Sequence, residues 1–492
     1  MSKVKLSTFY TNCVVGGNYI QYRGIENGKR IAKRIPYSPT LFVPSNKQSK
    51  FKTLFGQSVE PIKQGSIKDA RNFIERYKGV ENFKIYGNTY YHYCYLLEKF
   101  PDTVEYDIND IWIANIDIET DNDVDSENAR SAIISIAIKM NGKFDVFGYG
   151  DYKPHQDNIT YHKAPDEIEM LKKFMNFWVA NYPDVISGWN VGGFDVPYIY
   201  NRLLRLFGED FAKQLSPWGW ITKRTVILMG RQHEMIGISG ISILDYLELY
   251  KKHAPERNRE SYKLDYIAHV ELGERKLDYG EYGSLKKLHK ENYQKYTEYN
   301  IQDVNLVDKL NNKLKLLEMV FASAYDARVN YDDILGQIRT WDNLIFKELL
   351  KRNVVVPQRE DGDKEASYEG AHVKEPIPGL HRWVASLDIN SLYPSIIQMF
   401  NMSPETITDN VKSVSVESLL SKEQEFADLK EKNYTMTANG CIFKCDKLGI
   451  LPELVHRMYQ ERKEFKKKKI EAEEELEKVK AELDRRGIKY ES

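Results

Sequence analysis

The sequence predicts a multi-domain α/β protein, and three observations support this fold class. The 492 residues are enough for about three domains of ~150 residues each. From Ile111 onward, strand-like apolar runs alternate with amphipathic helical segments, a pattern typical of helices packed on a sheet. Residues 449–486 carry the clearest helical signal, in which alternating Lys and Glu favour pairs four residues apart.

The composition argues against a membrane-spanning or disulfide-stabilised protein. The net charge is only −1, so any basic surface for nucleic acid has to be local. Four cysteines in this length form neither a disulfide framework nor a zinc set. No run approaches the ~18 apolar residues of a membrane span, and Met1 to Tyr10 lacks the apolar core of a signal peptide. We therefore expect a soluble, cytoplasmic protein in a reducing environment.

The first 109 residues alternate short β-type runs with turns, which predicts a small mixed α/β domain without catalytic residues. Its predicted elements are the strands Lys5–Tyr10, Asn18–Arg23 and Thr40–Pro44 and the helix Ile67–Tyr77. The following segment is predicted to form an α/β domain around a mixed sheet. Its elements are the strands Ile111–Ile118, Ser131–Met140 and Val185–Trp189, the helices Pro165–Asn181, Val196–Leu206 and Glu291–Glu318, and a hairpin Thr225–Ser242 that turns around Gly230.

The remainder of the chain is predicted to begin with further helix and to end with the charged helix. Its elements are a helical stretch Tyr331–Arg352, a short β-type run Val354–Val356, an exposed loop Pro357–Tyr368, a strand His381–Ile389 and a helix Gly449–Arg486 that stops at Gly487.

The first chemical signal is Asp117-Ile118-Glu119. Two carboxylates at positions i and i+2 of a strand point to the same face, while Ile116 and Ile118 point to the other. Paired carboxylates at a strand end are ready ligands for a hard divalent cation such as Mg²⁺. A solvated acidic strand end is the commoner explanation of this tripeptide taken alone.

The second signal is a strand that ends in a glycine-containing turn, Gly188 to Gly193, followed by Phe194 and Asp195. Asp195 is expected near the carboxyl end of a strand, where α/β sheets place their sites. Phe194 can pack under a terminal base or sugar. The alternative is that Asp195 merely caps the next helix.

The third signal is Tyr299 and Asp303, which share one helix face at i and i+4. Asp303 can complete a metal site, and Tyr299 can hold an attacking water. A surface pair on a helix is the alternative explanation.

In this order, the three signals resemble the exonuclease motifs of the proofreading domains in family B DNA polymerases, which have an RNase H-like fold. The resemblance implies that Asp117, Glu119, Asp195 and Asp303 bind the metal ions and that Tyr299 orients the nucleophile. Two cations about 3.5–4 Å apart serve both ends of an in-line displacement. We expect two Mg²⁺ ions, for which Mn²⁺ can substitute, acting on single-stranded DNA 3′ ends.

Other segments of this region carry weaker expectations. Asn190 and Phe194 are expected to contact DNA. The segments around Asp245 and Asp265 look like the corresponding parts of T4-like bacteriophage polymerases, and we expect structural roles for both carboxylates. The predicted hairpin resembles the loop with which such enzymes separate primer from template.

A second site is indicated by the run Asp388-Ile389-Asn390-Ser391-Leu392-Tyr393-Pro394-Ser395-Ile396. It resembles motif A of the family B polymerase palm. The resemblance implies that Asp388 and the main chain of Ile389 bind two further metal ions in an assembled polymerase site. It also implies that the main chain at Ser391 and Leu392 touches the triphosphate and that Tyr393 lies beneath the incoming sugar.

Flanking segments extend this resemblance. Tyr368 and Gly370 lie in a segment that looks like the template-contacting linker between exonuclease and polymerase modules. Residues 459–466 resemble the first fingers helix. Arg462 and Lys466 fall on one helix face, where the resemblance implies contacts with a dNTP tail, although a solvated charged face is the alternative.

Two motifs that this family needs after motif A, a K-x-x-x-N-S-x-Y-G helix and a D-T-D turn, do not occur in the 492 residues. We therefore expect the N-terminal subunit of a split polymerase, forming a heterodimer with a C-terminal chain. A truncated chain, a stand-alone exonuclease and a non-enzymatic primer-end-binding subunit are the alternatives. Further expected partners are primer–template DNA, dNTPs, a sliding clamp and a single-stranded DNA-binding protein.

The expected domains follow from these assignments. They are an N-terminal domain, 1–109, to which 316–359 returns; the exonuclease domain, 110–315; a partial palm, 360–447; and the first half of the fingers, 448–492.

Overall fold

A computed structural model gives the fold in two compact units, which are formed by residues 1–51 with 59–358 and by residues 52–58 with 359–492. The residues that the structure describes are 7–81, 83–121, 125–228, 231–358, 373–414, 416–421 and 427–488. The expected DNA contacts Tyr368 and Gly370, most of the predicted loop 357–368 and the hairpin tip at Gly230 lie outside them. The prediction of a multi-domain mixed α/β fold is confirmed.

The larger unit begins with an antiparallel three-stranded sheet in the order β1-β2-β3. The elements up to residue 99 are β1 (Phe9–Gly16), β2 (Tyr19–Glu26), β3 (Lys29–Pro36), β4 (Thr40–Pro44), β5 (Lys52–Thr53), β6 (Val59–Lys63), α1 (Ile67–Tyr77) and α2 (Tyr91–Lys99). Of these, β5 belongs to the smaller unit. Asn27 and Gly28 both have positive φ, which is the two-residue turn that matches the twist of hairpin strands. The strand predicted at Lys5–Tyr10 instead lies further along the chain, at Phe9–Gly16, because these are the residues that pair with β2.

The centre of the larger unit is a six-stranded mixed sheet in the order β10-β9-β8-β7-β11-β14. Its elements are β7 (Ile113–Thr120), β8 (Ile133–Met140), β9 (Lys143–Gly148), β10 (Ile159–Lys163), α3 (Glu167–Ala180), β11 (Val185–Gly188), α4 (Asp195–Phe207), α5 (Glu209–Ala212), β12 (Ile221–Leu228), β13 (Arg231–Ile238) and β14 (Ser242–Asp245). β7 pairs antiparallel with β8 and parallel with β11, so the carboxyl ends of β7, β11 and β14 meet at one edge of the sheet.

The predicted hairpin is present, but its bounds differ from those expected. β12 already begins at Ile221, and the strand that holds Ser242 belongs to the central sheet and not to the hairpin. Alternation of side chains between two faces is common to all strands, so the apolar pattern in the sequence does not show where the hairpin ends and the next strand of the central sheet begins.

Helices complete the larger unit, and one of them covers the centre of the sheet. They are α6 (Tyr246–His253), α7 (Leu264–Leu272), α8 (Leu285–Glu291), α9 (Tyr293–Leu314), α10 (Leu316–Ala327) and α11 (Gln337–Lys351), followed by β15 (Val354–Val355). α9 packs on β7 and β8. The single helix predicted over Glu291–Glu318 is wrong because Lys315 adopts a left-handed conformation and Asn311 Oδ1 caps α10 by accepting from the Leu317 N–H (3.1 Å). The helical stretch predicted from Tyr331 likewise opens with a 3-10 turn.

The smaller unit contains a three-stranded sheet in the order β16-β18-β17 and a long helix. Its elements are α12 (Leu392–Met399), β16 (Ile407–Val411), α13 (Val416–Leu420), α14 (Ala427–Glu431), β17 (Tyr434–Met436), β18 (Cys441–Lys444) and α15 (Ile450–Arg485). α15 packs against α12. Asn401 fixes the entry to α15, because its amide donates to the Lys444 and Lys447 carbonyls and accepts from the Gly449 N–H.

The strand predicted at His381–Ile389 is wrong, since these described residues form no strand. Their β-type composition needs a neighbouring strand to accept and donate backbone hydrogen bonds, and no described strand pairs with them. Trp383 and Leu387 are almost fully exposed.

Within the described residues, no helix combines the length and the apolar character needed to cross a membrane.

Candidate metal centre

The alternation of β7 places two carboxylates on one face of the central sheet. Ile116 and Ile118 are buried on the opposite face, with 2% and 4% exposure. Asp117 pairs with Ala137 of β8, and Glu119 pairs with Ser135. Asp117 and Glu119 are therefore both directed away from the apolar layer that fixes the strand.

α9 brings a third carboxylate to this face. Asp303 is 3% exposed, and one ligand oxygen each of Asp117, Glu119 and Asp303 lies within 4.8 Å of the others. Oxygen-rich sites of this kind suit hard divalent cations. Tyr299, one turn before Asp303 on α9, is 5% exposed.

Asp195 lies beside this cluster but is not part of it. As the first residue of α4, Asp195 is 3% exposed. Its Oδ1 accepts from the backbone N–H of Ile118 at 3.0 Å, between Asp117 and Glu119 on β7. The structure thus brings three of the four expected carboxylates together and ties the fourth to the strand that carries two of them.

Asp245, at the end of β14, shapes the turn that leads to Asp195. Its carboxylate accepts from the backbone N–H groups of Asn190 (3.1 Å), Gly192 (3.0 Å) and Leu247 (3.0 Å). A Cβ on Gly188, just before the turn, would lie 2.5 Å from the carbonyl oxygen of Ile116, so glycine permits the close approach of β11 to β7. These contacts agree with the structural role expected for Asp245.

The electrostatics of the cluster are those of carboxylates removed from water. Burial, and then the charge of Asp303, raise the pKa of Asp117 to about 7. Burial also raises the pKa of Glu119, Asp195 and Asp303. Negative groups held together in this way favour a cation among them.

A buried polar atom supports the same conclusion. Oδ1 of Asp303 has no hydrogen-bond partner among the residues that the structure describes. A buried carboxylate oxygen without a donor is costly, and a cation would satisfy it. The donor set of Asp117, Glu119 and Asp303 therefore fits a divalent metal ion.

Lys276 contributes a positive charge that sequence reasoning missed. Its Nζ donates to Asp303 Oδ2 and to Tyr299 Oη, the latter at 3.1 Å. Burial opposes the ammonium, but Asp303, Tyr299 and Asp117 together raise the pKa of Lys276 above its ordinary value. A single lysine between two motifs has no spacing pattern, so no signal in the sequence distinguishes it from surface lysines.

A cavity of ≈ 350 Å³ opens beside the carboxylates. Its lining consists of Asp117, Trp189, Lys263, Leu264, Asp265, Lys276, Tyr299 and Asp303. Two of the four expected DNA contacts lie on the adjoining turn, where Asn190 is exposed and Phe194 is half-buried with its ring 5.4 Å from that of Tyr198. Asp265 instead accepts from Arg275 and from the Lys276 backbone N–H.

The second set of expected site residues lies in the smaller unit. Asp388, Ile389 and Tyr393 are exposed, and Leu392 begins α12. Ser391 has a positive φ, and its hydroxyl accepts from Arg462 Nη1 at 3.3 Å. The structure thereby places Arg462 of α15 next to the start of α12. Lys466 lies one turn further along α15 and is exposed.

Comparison with known proteins gives matches along most of the chain. Residues 87–267 match the exonuclease domain of DNA polymerase family B, and residues 335–490 match DNA polymerase family B itself. The DNA-directed DNA polymerase of Enterobacteria phage T4 is 32% identical over 96% of this chain and 55% of the relative.

Two further relatives are DNA polymerases that the chain also matches over only part of their length. The DNA-directed DNA polymerase of Escherichia phage RB69 is 32% identical over 94% of this chain and 54% of the relative. The DNA polymerase delta catalytic subunit of Candida albicans is 30% identical over 61% of this chain and 29% of the relative. The chain thus spans about half the length of the two phage relatives.

Proposed function

Because the chain belongs to DNA polymerase family B, we propose that it is a Mg²⁺-dependent 3′→5′ exonuclease that also carries one half of a polymerase site. The cluster of Asp117, Glu119 and Asp303 within 4.8 Å is the observation that carries the exonuclease proposal. These three residues, with Asp195, would hold two Mg²⁺ ions. When bound, such ions supply the charge that activates water and stabilises the leaving oxygen.

The chain's own residues would bind and orient the substrate. Tyr299 Oη accepts from Lys276, so its own proton remains available to be donated to the attacking water or to the scissile phosphate. The Lys276 ammonium offsets negative charge that develops on the phosphate. Asn190 and Phe194, on the turn beside the cavity, would contact the terminal nucleotide, and the cavity would exclude bulk water from it.

Hydrolysis of a 5′-labelled single-stranded DNA tests the exonuclease proposal. We expect shortening from the 3′ end with Mg²⁺, none with EDTA, and a rate at least about 10³-fold lower for Asp117→Ala and Asp303→Ala, as when a metal ligand is lost. Asp308→Ala is the matched control, because this α9 carboxylate pairs with Lys139 at 2.7 Å. Wild-type hydrolysis by both cluster variants would refute the assignment.

For the smaller unit, we propose a nucleotide site that is completed by further polypeptide. Asp388 and the main chain of Ile389 would hold two metal ions. The main chain at Ser391 and Leu392 would contact the triphosphate together with Arg462 and Lys466, and Tyr393 would exclude a 2′-OH. The Arg462–Ser391 hydrogen bond supports this grouping. Tyr368 and Gly370 would contact the template.

We further propose that a C-terminal polymerase chain supplies the missing motifs in a heterodimer. Leu380, Trp383 and Leu387 are large apolar side chains that are almost fully exposed. Their exposure supports this proposal, because extensive exposed apolar surface marks interaction sites. Primer–template DNA, dNTPs, a clamp and a single-stranded DNA-binding protein would be the other partners, in a host-cell cytoplasm.

Primer extension tests the polymerase proposal. We expect the chain alone to shorten an annealed primer in the presence of four dNTPs, and we expect extension only after addition of the C-terminal portion of a related polymerase as a separate polypeptide. Extension by the lone chain would refute the need for a second polypeptide. Failure of the mixture to extend, with a complex formed, would refute the assignment of motif A.

A further inference from the structure

A buried hydrogen-bond chain links three elements beneath the carboxylate cluster. Ser135 of β8 donates from Oγ to Asn300 Oδ1 at 2.8 Å. Asn300 of α9 donates from Nδ2 to Asp117 Oδ2 at 2.7 Å. Ser135 and Asn300 are both fully buried, so solvent does not supply either contact.

We propose that Asn300, held in one orientation by Ser135, is a positioning residue that fixes the Asp117 carboxylate for cation binding. This inference rests on the exonuclease function proposed above, and it concerns the affinity of the same site for its metal ion.

The positions of these residues in the elements explain the geometry. Ser135 is paired with Glu119 across the β7–β8 ladder, and the shared face of the sheet brings its hydroxyl under α9. Asn300 follows Tyr299, so its side chain is rotated about 100° around the helix axis, from the cavity toward the sheet. A single turn of α9 therefore carries the Tyr299 hydroxyl, the Asp303 carboxylate and the amide that engages Asp117.

The chemistry of an amide explains the need for Ser135. A primary amide has an acceptor end and a donor end of similar shape. Because the Ser135 hydroxyl donates to Oδ1, the NH₂ group is directed at Asp117. The carboxylate of Asp117 is thereby held by one oxygen, and its rotation is restricted.

The Asn300 amide is an uncharged donor, in contrast to Lys276, which binds Asp303 with a full positive charge. An ammonium competes with a cation for the same carboxylate, whereas an amide orients a carboxylate without opposing the cation electrostatically. We therefore infer that Asn300 favours metal binding, in contrast to a purely structural asparagine that only ties α9 to the sheet.

The test compares Asn300→Leu, which keeps the size but cannot donate, and Ser135→Ala, which leaves Asn300 in place but frees its orientation. Thr297→Val is the matched control, because Thr297 is a fully buried residue of α9 whose hydroxyl donates to the Tyr293 carbonyl. For each whole chain, Mn²⁺ affinity is measured by titration calorimetry, the Mg²⁺ concentration for half-maximal hydrolysis is determined, and folding is followed by thermal unfolding.

We expect Asn300→Leu to weaken Mn²⁺ binding about 10–100-fold and to raise the half-maximal Mg²⁺ concentration by a similar factor, as is usual when an outer partner of a metal ligand is lost. Ser135→Ala should weaken Mn²⁺ binding by a smaller factor, and the double variant should be no worse than Asn300→Leu, since both changes act through one contact. Thr297→Val should bind Mn²⁺ as the wild type does.

Unchanged Mn²⁺ affinity in Asn300→Leu, or loss of affinity in Thr297→Val equal to that in Ser135→Ala, would overturn the proposal. If Asn300→Leu does not fold, the Ser135→Ala affinity decides. Asp117→Ala and Asp303→Ala separate this proposal from the one on which it rests, because wild-type hydrolysis by both variants would refute the exonuclease assignment itself.

Discussion

Replacement of Asp117 by asparagine should stabilise the metal-free protein at alkaline pH. Burial and Asp303 raise the pKa of Asp117 from 3.8 to about 7. At a pH well above 7, this difference corresponds to about 4 kcal/mol by which the ionised carboxylate destabilises the folded state. Because the Asp117 side chain is half-buried and solvent screens part of this free energy, we expect Asp117→Asn to increase the free energy of unfolding by about 2–4 kcal/mol.

The pH dependence follows from the sign of this shift. A carboxylate with a raised folded-state pKa contributes its full stability below the unfolded pKa, near pH 4, and loses it as the pH rises through about 7. The wild type in EDTA should therefore lose stability from pH 4 to pH 8, and Asp117→Asn should lose less. At pH 4 the two proteins should be nearly equal, and the difference should then grow by up to about 1.4 kcal/mol for each pH unit until the pH reaches about 7.

Denaturant unfolding of both proteins at pH 5 and pH 8, in EDTA and in Mg²⁺, measures this effect. Mg²⁺ should stabilise the wild type more than Asp117→Asn. Asp308→Asn is the control, and it should change stability by less than about 1 kcal/mol because the carboxylate forms a partly exposed ion pair. The reasoning would be refuted if Asp117→Asn destabilised the metal-free protein at pH 8 or stabilised it equally at pH 5.

Three further predictions concern charged side chains. Lys276→Met should lower the rate of hydrolysis about 10–100-fold at saturating Mg²⁺ through lost charge stabilisation, whereas Lys309→Met on α9, where the ammonium pairs with Glu274, should not, as single-turnover kinetics will show. Arg23 donates to backbone carbonyls at residues 182, 183 and 240, so Arg23→Ala should cost about 3 kcal/mol in denaturant unfolding, against less than about 1 kcal/mol for the exposed Lys33→Ala. Arg462→Ala should weaken dNTP binding by the completed polymerase about 10-fold in titration and leave hydrolysis of single-stranded DNA unchanged.

Short-range periodicity predicted the residues that the structure brings together at the cluster. Asp117 and Glu119 share a strand face because the side-chain period of a strand is two, and Tyr299 and Asp303 share a helix face because they are four residues apart. Each rule operates within one element. For that reason the rules remain valid whatever the arrangement of the elements around them.

No comparable rule predicts contacts between residues that lie far apart in the sequence. Lys276 reaches Asp303 across 27 residues of sequence, and Asn300 reaches Asp117 across 183. Neither residue type is rare, and neither spacing is periodic. The failed strand prediction at His381–Ile389 has the complementary cause, since local composition specifies a preference for extended backbone but not the neighbouring strand that would make it a sheet.

The donors around the cluster differ in charge, and this difference connects its stability with its affinity for a cation. Asp303 is engaged by an ammonium, Asp117 by an amide and Asp195 by a backbone N–H. Only the first donor offsets a negative charge, so most of the repulsion among the buried carboxylates persists in the metal-free fold. A ligand that binds the folded state alone stabilises it by mass action. Asp117→Asn should therefore raise the free energy of unfolding of the metal-free protein and weaken its Mg²⁺ binding. The stability without metal and the Mg²⁺ affinity should change in opposite directions.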